Sequence, residues 1–242
     1  MTLLPAPPTA LLDGASLFLD LDGTLVDFAM TPDGIDVCDN LRSLLRHLQC
    51  DLDGRVAVIS GRALADLDAH LDLRNLALSG SHGLERQHSD GRKDVSKQPE
   101  SVPAAIAETS AFAAHHDLIA EPKPGGVALH FRTKPGLEAA VDRFVAGSAD
   151  RHGLVVQKGA MVRELRAPGP NKGDVVRQFM AEAPFNEGRP VVLGDDLTDE
   201  DAFRAAAELG GAGILVGPDR PSAAAFRLPD VAAVKSWLGQ DR

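Results

Sequence analysis

The chain has 242 residues, 44% of them hydrophobic and 25% charged, which allows one large or two smaller domains and excludes a disordered, collagen-like or low-complexity protein. Asp and Glu number 35 against 25 Lys and Arg, and the net charge of −10 disfavours binding to nucleic acid or an anionic membrane while allowing a local basic pocket for a phosphate ester. The two cysteines, Cys38 and Cys50, form no metal-ligand or disulfide pattern and read as reduced thiols.

No Lys or Arg precedes Arg42 and no apolar run is long enough to span a membrane, so the chain reads as cytoplasmic. The first strand is Leu17 to Leu21, a buried apolar run that carries Asp20 and Asp22 at its carboxyl end. Val37, Leu41, Leu44, Leu45 and Leu48 then fall on one helical face. A second strand, Val56 to Ile59, runs into Ser60-Gly61-Arg62, and Leu64, Leu67 and Leu71 mark the helix after it. Leu76 to Leu78 is a third strand, followed by Gly80-Ser81-His82-Gly83.

The polar stretch from His88 to Glu100 reads as a linker, and the pattern changes beyond it. A helix from Pro103 to His116 leads to strands Leu118 to Lys123 and Val127 to Arg132, with a hairpin signal at Pro124-Gly125-Gly126. A helix from Leu137 to His152 leads to a second pair, Leu154 to Lys158 and Met161 to Arg166. Pro168 to Pro170 returns the chain to strand-helix alternation: a helix from Lys172, a strand at Val191 to Leu193 and another at Ile214 to Val216.

Near-continuous apolar strands alternating with helices predict an α/β fold, a doubly wound parallel-sheet core with an inserted α+β cap domain. The predicted segments are 1–94 and 169–242 for the core and 95–168 for the cap.

Asp20 and Asp22 leave a buried strand where open α/β sheets keep their ligands, and such an acidic pair calls for a hard divalent cation with oxygen ligands, most plausibly Mg²⁺. The second acidic cluster, Gly194 to Asp201, also follows a buried strand, so parallel strands would bring its carboxylates to the same edge. Asp195 and Asp199 are the metal candidates there, and motif position alone favours Asp195 over Asp196. Glu200 and Asp201 read as acids suited to a helix N-terminus. The Ser60 hydroxyl with the amides after it, and Lys172 opening a helix after Asn171, complete a phosphate site.

The order D-x-D-G-T, S-G-R, K, G-D-D-x-x-D resembles the haloacid dehalogenase superfamily of aspartate-nucleophile phosphatases. Gly80-Ser81-His82-Gly83, Glu121-x-Lys123, His130-Phe131-Arg132, Lys158-Gly159, Glu164 to Arg166 and Gly194 to Glu200 resemble, within it, the trehalose-6-phosphate phosphatases. Phe131 stands where that family often shows tyrosine. The resemblance implies Asp20 as nucleophile, Asp22 as acid and base, and Ser60 and Lys172 as phosphoryl ligands. It also implies a metal held by Asp20, the Asp22 backbone carbonyl and Asp195, with Asp199 behind them or on a metal-bound water. Gly61, Arg62, His82, Glu121, Lys123, His130, Arg132, Lys158 and Glu164 are the expected substrate contacts.

Strand parity points the same way, since Val127, Leu129 and Phe131 face opposite to His130 and Arg132, while Glu121 and Lys123, and Glu164 and Arg166, share parity in their strands. A face of mixed carboxylates and cations suits sugar hydroxyls in a chain with no Tyr and one Trp. The expected substrate is therefore a small sugar phosphate, and cap closure over the strand ends would exclude water. Another sugar phosphate, of the sucrose-6-phosphate or mannosyl-phosphoglycerate type, is the alternative substrate. A receiver domain or an inactive phosphate-binding protein is the alternative class.

Overall fold

The computed structural model describes residues 4–27, 37–73, 75–159 and 161–239. In chain order the regular elements are β1 (Ala15–Leu19), α1 (Asp39–Asp51), β2 (Val56–Ile59), α2 (Leu64–Leu71), β3 (Ala77–Gly80), β4 (Glu85–Gln87) and β5 (Lys93–Val95). They continue with α3 (Val102–His116), β6 (Ile119–Lys123), β7 (Gly126–His130), α4 (Glu138–His152), β8 (Val155–Gly159), β9 (Val162–Arg166) and α5 (Lys172–Met180). The chain ends with β10 (Arg189–Gly194), α6 (Asp199–Glu208), β11 (Ala212–Val216), β12 (Phe226–Leu228) and α7 (Val231–Leu238). Two compact units result, one from residues 1–95 with 170–242 and one from 96–169.

The larger unit is built on an eight-stranded sheet in the order β12-β11-β10-β1-β2-β3-β4-β5. The six strands from β12 to β3 are parallel, and β4 and β5 extend the sheet antiparallel. Alternation along each parallel strand sends side chains to opposite faces, and both faces are covered. On one face Leu17, Leu19, Val56, Val58, Val191, Leu193 and Ile214 pack with Leu41, Leu45 and Leu48 of α1, Leu64, Leu67 and Leu71 of α2 and Trp237 of α7. On the other, Phe18, Ala57, Ile59, Val192 and Leu215 pack with Val175 and Phe179 of α5 and Phe203 of α6. Each fully buried Leu or Phe contributes roughly 1.5–3 kcal/mol of transfer free energy, so these two layers dominate the stability of the unit. The strand order reverses at β1, whose neighbours are β2 and β10, and the carboxyl ends flanking such a reversal form a crevice.

The smaller unit is an antiparallel sheet, β6-β7-β9-β8. Val127, Leu129 and Leu165 pack on Val102, Ala105 and Ala113 of α3 and Val141, Val145 and Ala149 of α4. Lys123 pairs with Gly126 across a two-residue turn at Pro124-Gly125. Among the described residues no helix is long and apolar enough to cross a membrane.

Two expectations are corrected. The polar segment from His88 to Glu100 is not all linker, because Lys93–Val95 pairs antiparallel with Glu85–Gln87 at the sheet edge. Strand β7 ends at His130, so Arg132 lies exposed in the following turn and strand parity does not assign it a face.

Candidate active site

The centre of the site is assembled from β1, β10, α5 and α6. Leu19 of β1 pairs with Leu193 of β10, so Asp20 and Asp195 emerge side by side from neighbouring parallel strands. Asn171 caps α5 by accepting from the Asp174 amide while the Asp174 carboxylate accepts from the Asn171 amide, and this fixed start aims Lys172 inward. The Lys172 ammonium donates to Asp20 Oδ1 at 2.7 Å and to Asp199 Oδ1 at 2.6 Å. Asp199 opens α6, and its Oδ2 accepts from the backbone amides of Asp195 and Asp196 at 3.1 and 3.0 Å. Glycines at 173 and 194 make room for this: a Cβ on Gly194 would fall 2.2 Å from Asp199 Cγ, and one on Gly173 would fall 2.5 Å from the Asp201 carbonyl oxygen.

Asp20, Asp195 and Asp199 each offer a carboxylate oxygen within 4.8 Å of the others. Burial pushes the Asp20 carboxyl well above the usual carboxylate range, with Asp199 and Asp195 adding to the rise and Lys172 opposing it. Burial, and then the charge of Asp199, raises Asp195 to about 7. Burial alone would pull the Lys172 ammonium down, but the charges of Asp199 and Asp20 outweigh it and hold it above its usual range. Three carboxylates therefore share one buried ammonium. Asp195 Oδ1 is buried without a hydrogen-bond partner, and a hard cation is the group whose charge and oxygen preference fit that donor set. Asp196 is not among these three carboxylates; its Oδ1 accepts from the Leu197 amide at 2.5 Å.

Asp22 does not join the three carboxylates; both of its oxygens accept from Arg62, at 2.7 Å each. Ser60 follows β2, and its hydroxyl accepts from the Arg62 amide at 3.2 Å. His82 lies against Gly61, where a Cβ would meet its Nε2 at 2.4 Å. The loop that holds it there carries Ser81 and His82 at φ of 50° and 54°, left-handed values that side chains rarely adopt. Glu85 fastens the loop by accepting from the Ser81 hydroxyl at 2.7 Å and the Leu64 amide at 3.1 Å. Sequence reasoning passed over Glu85, which lies just beyond the Gly80-Ser81-His82-Gly83 segment.

In the smaller unit the register puts Glu121, Ala128, Glu164 and Gln157 in one row and Lys123, Gly126 and Arg166 in the next, on a shared face. His130 Nε2 lies 2.9 Å from Glu121 Oε2, Lys123 Nζ lies 3.5 Å from Glu164 Oε2, and Arg166 Nε donates to Gln157 Oε1 at 3.1 Å. The structure does not bring Lys158 to this face: it registers with Arg163, of opposite parity to Glu164, and donates to Asp142 of α4 at 3.2 Å. Glu200 stands in the first turn of α6, as expected of a helix N-terminal acid, and is in addition buried and ion-paired with Arg220.

The fold is shared with a Bacillus subtilis protein described as a haloacid dehalogenase-like hydrolase, which superposes with a TM-score of 0.63 at 16% identity, over 93% of this chain and 98% of that one. The C-terminal domain of Candida albicans trehalose-6-phosphate phosphatase superposes with a TM-score of 0.83 at 24% identity, over 98% of this chain and 97% of that one. The chain belongs to the trehalose-phosphatase family of phosphoric monoester hydrolases, whose profile matches residues 18–232. It is 36% identical to a probable trehalose-phosphate phosphatase of Sinorhizobium fredii, over 94% of this chain and 87% of the relative. It is 35% identical to the trehalose-6-phosphate phosphatase of Escherichia coli, over 91% of this chain and 84% of the relative.

Proposed function

We propose that this chain is a Mg²⁺-dependent phosphatase that hydrolyses trehalose 6-phosphate to trehalose and inorganic phosphate through an aspartyl-phosphate. The observation that carries the reading is the buried Asp20 carboxylate at the tip of β1, held by Lys172 and ringed by Asp195 and Asp199. Membership in the trehalose-phosphatase family and the names of the curated relatives support the choice of substrate.

Asp20 attacks the phosphorus and forms a P–O bond as the bond to the sugar oxygen breaks. Asp22 gives its proton to that departing oxygen and later takes one from the water that attacks the aspartyl-phosphate, which returns Asp20 as a carboxylate and releases phosphate. For this the Asp22–Arg62 pair has to open, so Arg62 moves between Asp22 and a substrate oxygen. Lys172 and Ser60 hold the transferring oxygens, and Lys172 also offsets the charge that builds on them. Asp20, the Asp22 backbone carbonyl and Asp195 would hold the cation, with Asp199 bracing the Asp195 amide, and a bound Mg²⁺ would supply charge neutralisation at the phosphoryl group.

Glu121, Lys123, His130, Glu164 and Arg166 form the sugar-recognising face of residues 96–169, which serve as the cap. Gly61, Arg62 and His82 supply contacts from the core. The chain works in the cytoplasm on a small-molecule substrate.

The reading is tested by phosphate release from trehalose 6-phosphate, sucrose 6-phosphate and a mannosyl-phosphoglycerate, before and after chelation and with Mg²⁺ restored. Trehalose 6-phosphate should give the highest kcat/KM, with activity lost on chelation and recovered with Mg²⁺. Preference for another sugar phosphate would overturn the substrate assignment, and full activity after exhaustive chelation would overturn the metal assignment.

A further inference from the structure

Arg220 sits in the loop between β11 and β12, remote in sequence from every motif described above. Its Nη2 donates to two backbone carbonyls at once, that of Asp195 at 3.2 Å and that of Asp196 at 3.0 Å. Its Nη1 donates to Glu200 Oε1 and to the Pro221 carbonyl. Glu200 is itself anchored, since its Oε2 accepts from the Ala223 amide at 2.7 Å.

The amides of Asp195 and Asp196 already donate to Asp199 Oδ2. Arg220 therefore completes the set: both N–H groups and both carbonyls of the Asp195–Asp196 turn are held, on one side by Asp199 and on the other by the guanidinium. Asp195 Oδ1, on the same turn, is buried without a hydrogen-bond partner. A planar fork reaches two carbonyls and a carboxylate together, whereas a lysine offers a single donor point.

We propose that Arg220, oriented by Glu200, is a positioning residue that sets the divalent-cation affinity of the carboxylate centre by fixing where Asp195 presents its side chain. This rests on the metal reading above. Arg220 touches neither the reacting atoms nor Asp20, so its effect belongs to cation affinity and not to the chemical step. Groups that orient a metal ligand from behind typically account for about 10- to 100-fold in affinity.

The test is direct Mn²⁺ binding by electron paramagnetic resonance, with Mg²⁺ as competitor, on the full chain and on Arg220→Ala, Arg220→Lys and Glu200→Gln. Arg220→Ala should raise the Mn²⁺ dissociation constant by about 10- to 100-fold, with Arg220→Lys and Glu200→Gln intermediate. At saturating Mg²⁺ the kcat of Arg220→Ala on an aryl phosphate should return to within about threefold of the parent, because an interaction that serves only cation binding leaves the saturated rate nearly unchanged.

A folded Arg220→Ala that binds Mn²⁺ like the parent overturns the assignment, even if its melting temperature falls, because Arg220 would then serve only the packing of its loop. Should Arg220→Ala fail to fold, Glu200→Gln decides, since it keeps the guanidinium and removes the charge that orients it: parent-like affinity overturns the proposal and weakened affinity supports it. A parent chain that binds no Mn²⁺ overturns the metal reading itself, a result distinct from unchanged affinity in the variants.

Discussion

At the residue scale, the buried carboxylates of Asp20 and Asp199 share the ammonium of Lys172 with the half-buried Asp195 beside them, an arrangement suited to capturing a cation and costly without one. Asp20→Asn should abolish phosphate release, because an amide lacks the anionic oxygen that attacks phosphorus. In metal-free buffer the same variant should unfold at an equal or higher temperature than the parent, since one of three mutually repelling charges has gone. Phosphate release and thermal unfolding in chelator check both halves, and activity within tenfold of the parent would refute the nucleophile. The convergence of Asp20, Lys172, Asp195 and Asp199 was legible because each sits at the end of a recognisable strand or the start of a helix. Glu85 and Arg220 were not legible: their contacts to the Leu64 amide and to the Asp195 and Asp196 carbonyls span 21 or more residues of sequence, and no local pattern encodes them. The pairing of Asp22 with Arg62 likewise joins two separately readable motifs by a contact that no local pattern encodes.

Elements differ in how openly they announce themselves. Strands β1, β2, β10 and β11 are buried on both faces and read as apolar runs, whereas β4 and β5 are three residues each, mostly polar, with β5 exposed throughout. The β4–β5 hairpin is held by side chains: Asp94 Oδ2 lies 2.7 Å from His88 Nε2 and 3.0 Å from Arg86 Nη2. Its hydrogen bonds to His88 and then Arg86 hold the Asp94 carboxyl down at about 2. A depressed carboxylate stabilises the fold above its unfolded value and loses that contribution as pH falls through the folded one. Asp94→Asn should therefore melt below the parent at pH 6–7, and the gap should close between roughly pH 4 and 2. A gap independent of pH would mean that shape, not charge, holds the hairpin. Helices α5 and α6 meet so closely at Gly173 that a Cβ would sit 2.5 Å from a backbone oxygen, which cannot rotate away. Gly173→Ala should thus lower stability by about 1–3 kcal/mol in urea and also slow turnover, because the adjacent Lys172 moves with the helix. Parent-like values for both would show that the helices separate without strain.

At the scale of the whole molecule, Asp20 and the polar face of β6, β7 and β9 belong to different units, so the proposed phosphoryl chemistry and the proposed cap-side sugar contacts can be tested separately by substrate. Glu164 is 8% exposed, close to Lys123, and outside the unit that carries Asp20. If Glu164 binds the sugar as proposed, its truncation should remove charge-assisted hydrogen bonds worth about 1.5–3 kcal/mol, or roughly 10- to 150-fold in kcat/KM for trehalose 6-phosphate. An aryl phosphate, which makes no such bonds, should be turned over by Glu164→Ala at near the parent rate. Equal losses on both substrates would assign Glu164 to folding or to the chemical step. The interruption of the larger unit also bears on how the protein is made. Ala15 of β1 pairs with Arg189 of β10, so the strand that leads into Asp20 has a bare edge until β10 leaves the ribosome. Until then a run of Ala, Ser, Leu and Phe stands open to any other nascent strand. Completion of the core should therefore wait on β10, and chains halted before it should aggregate where the full-length protein does not.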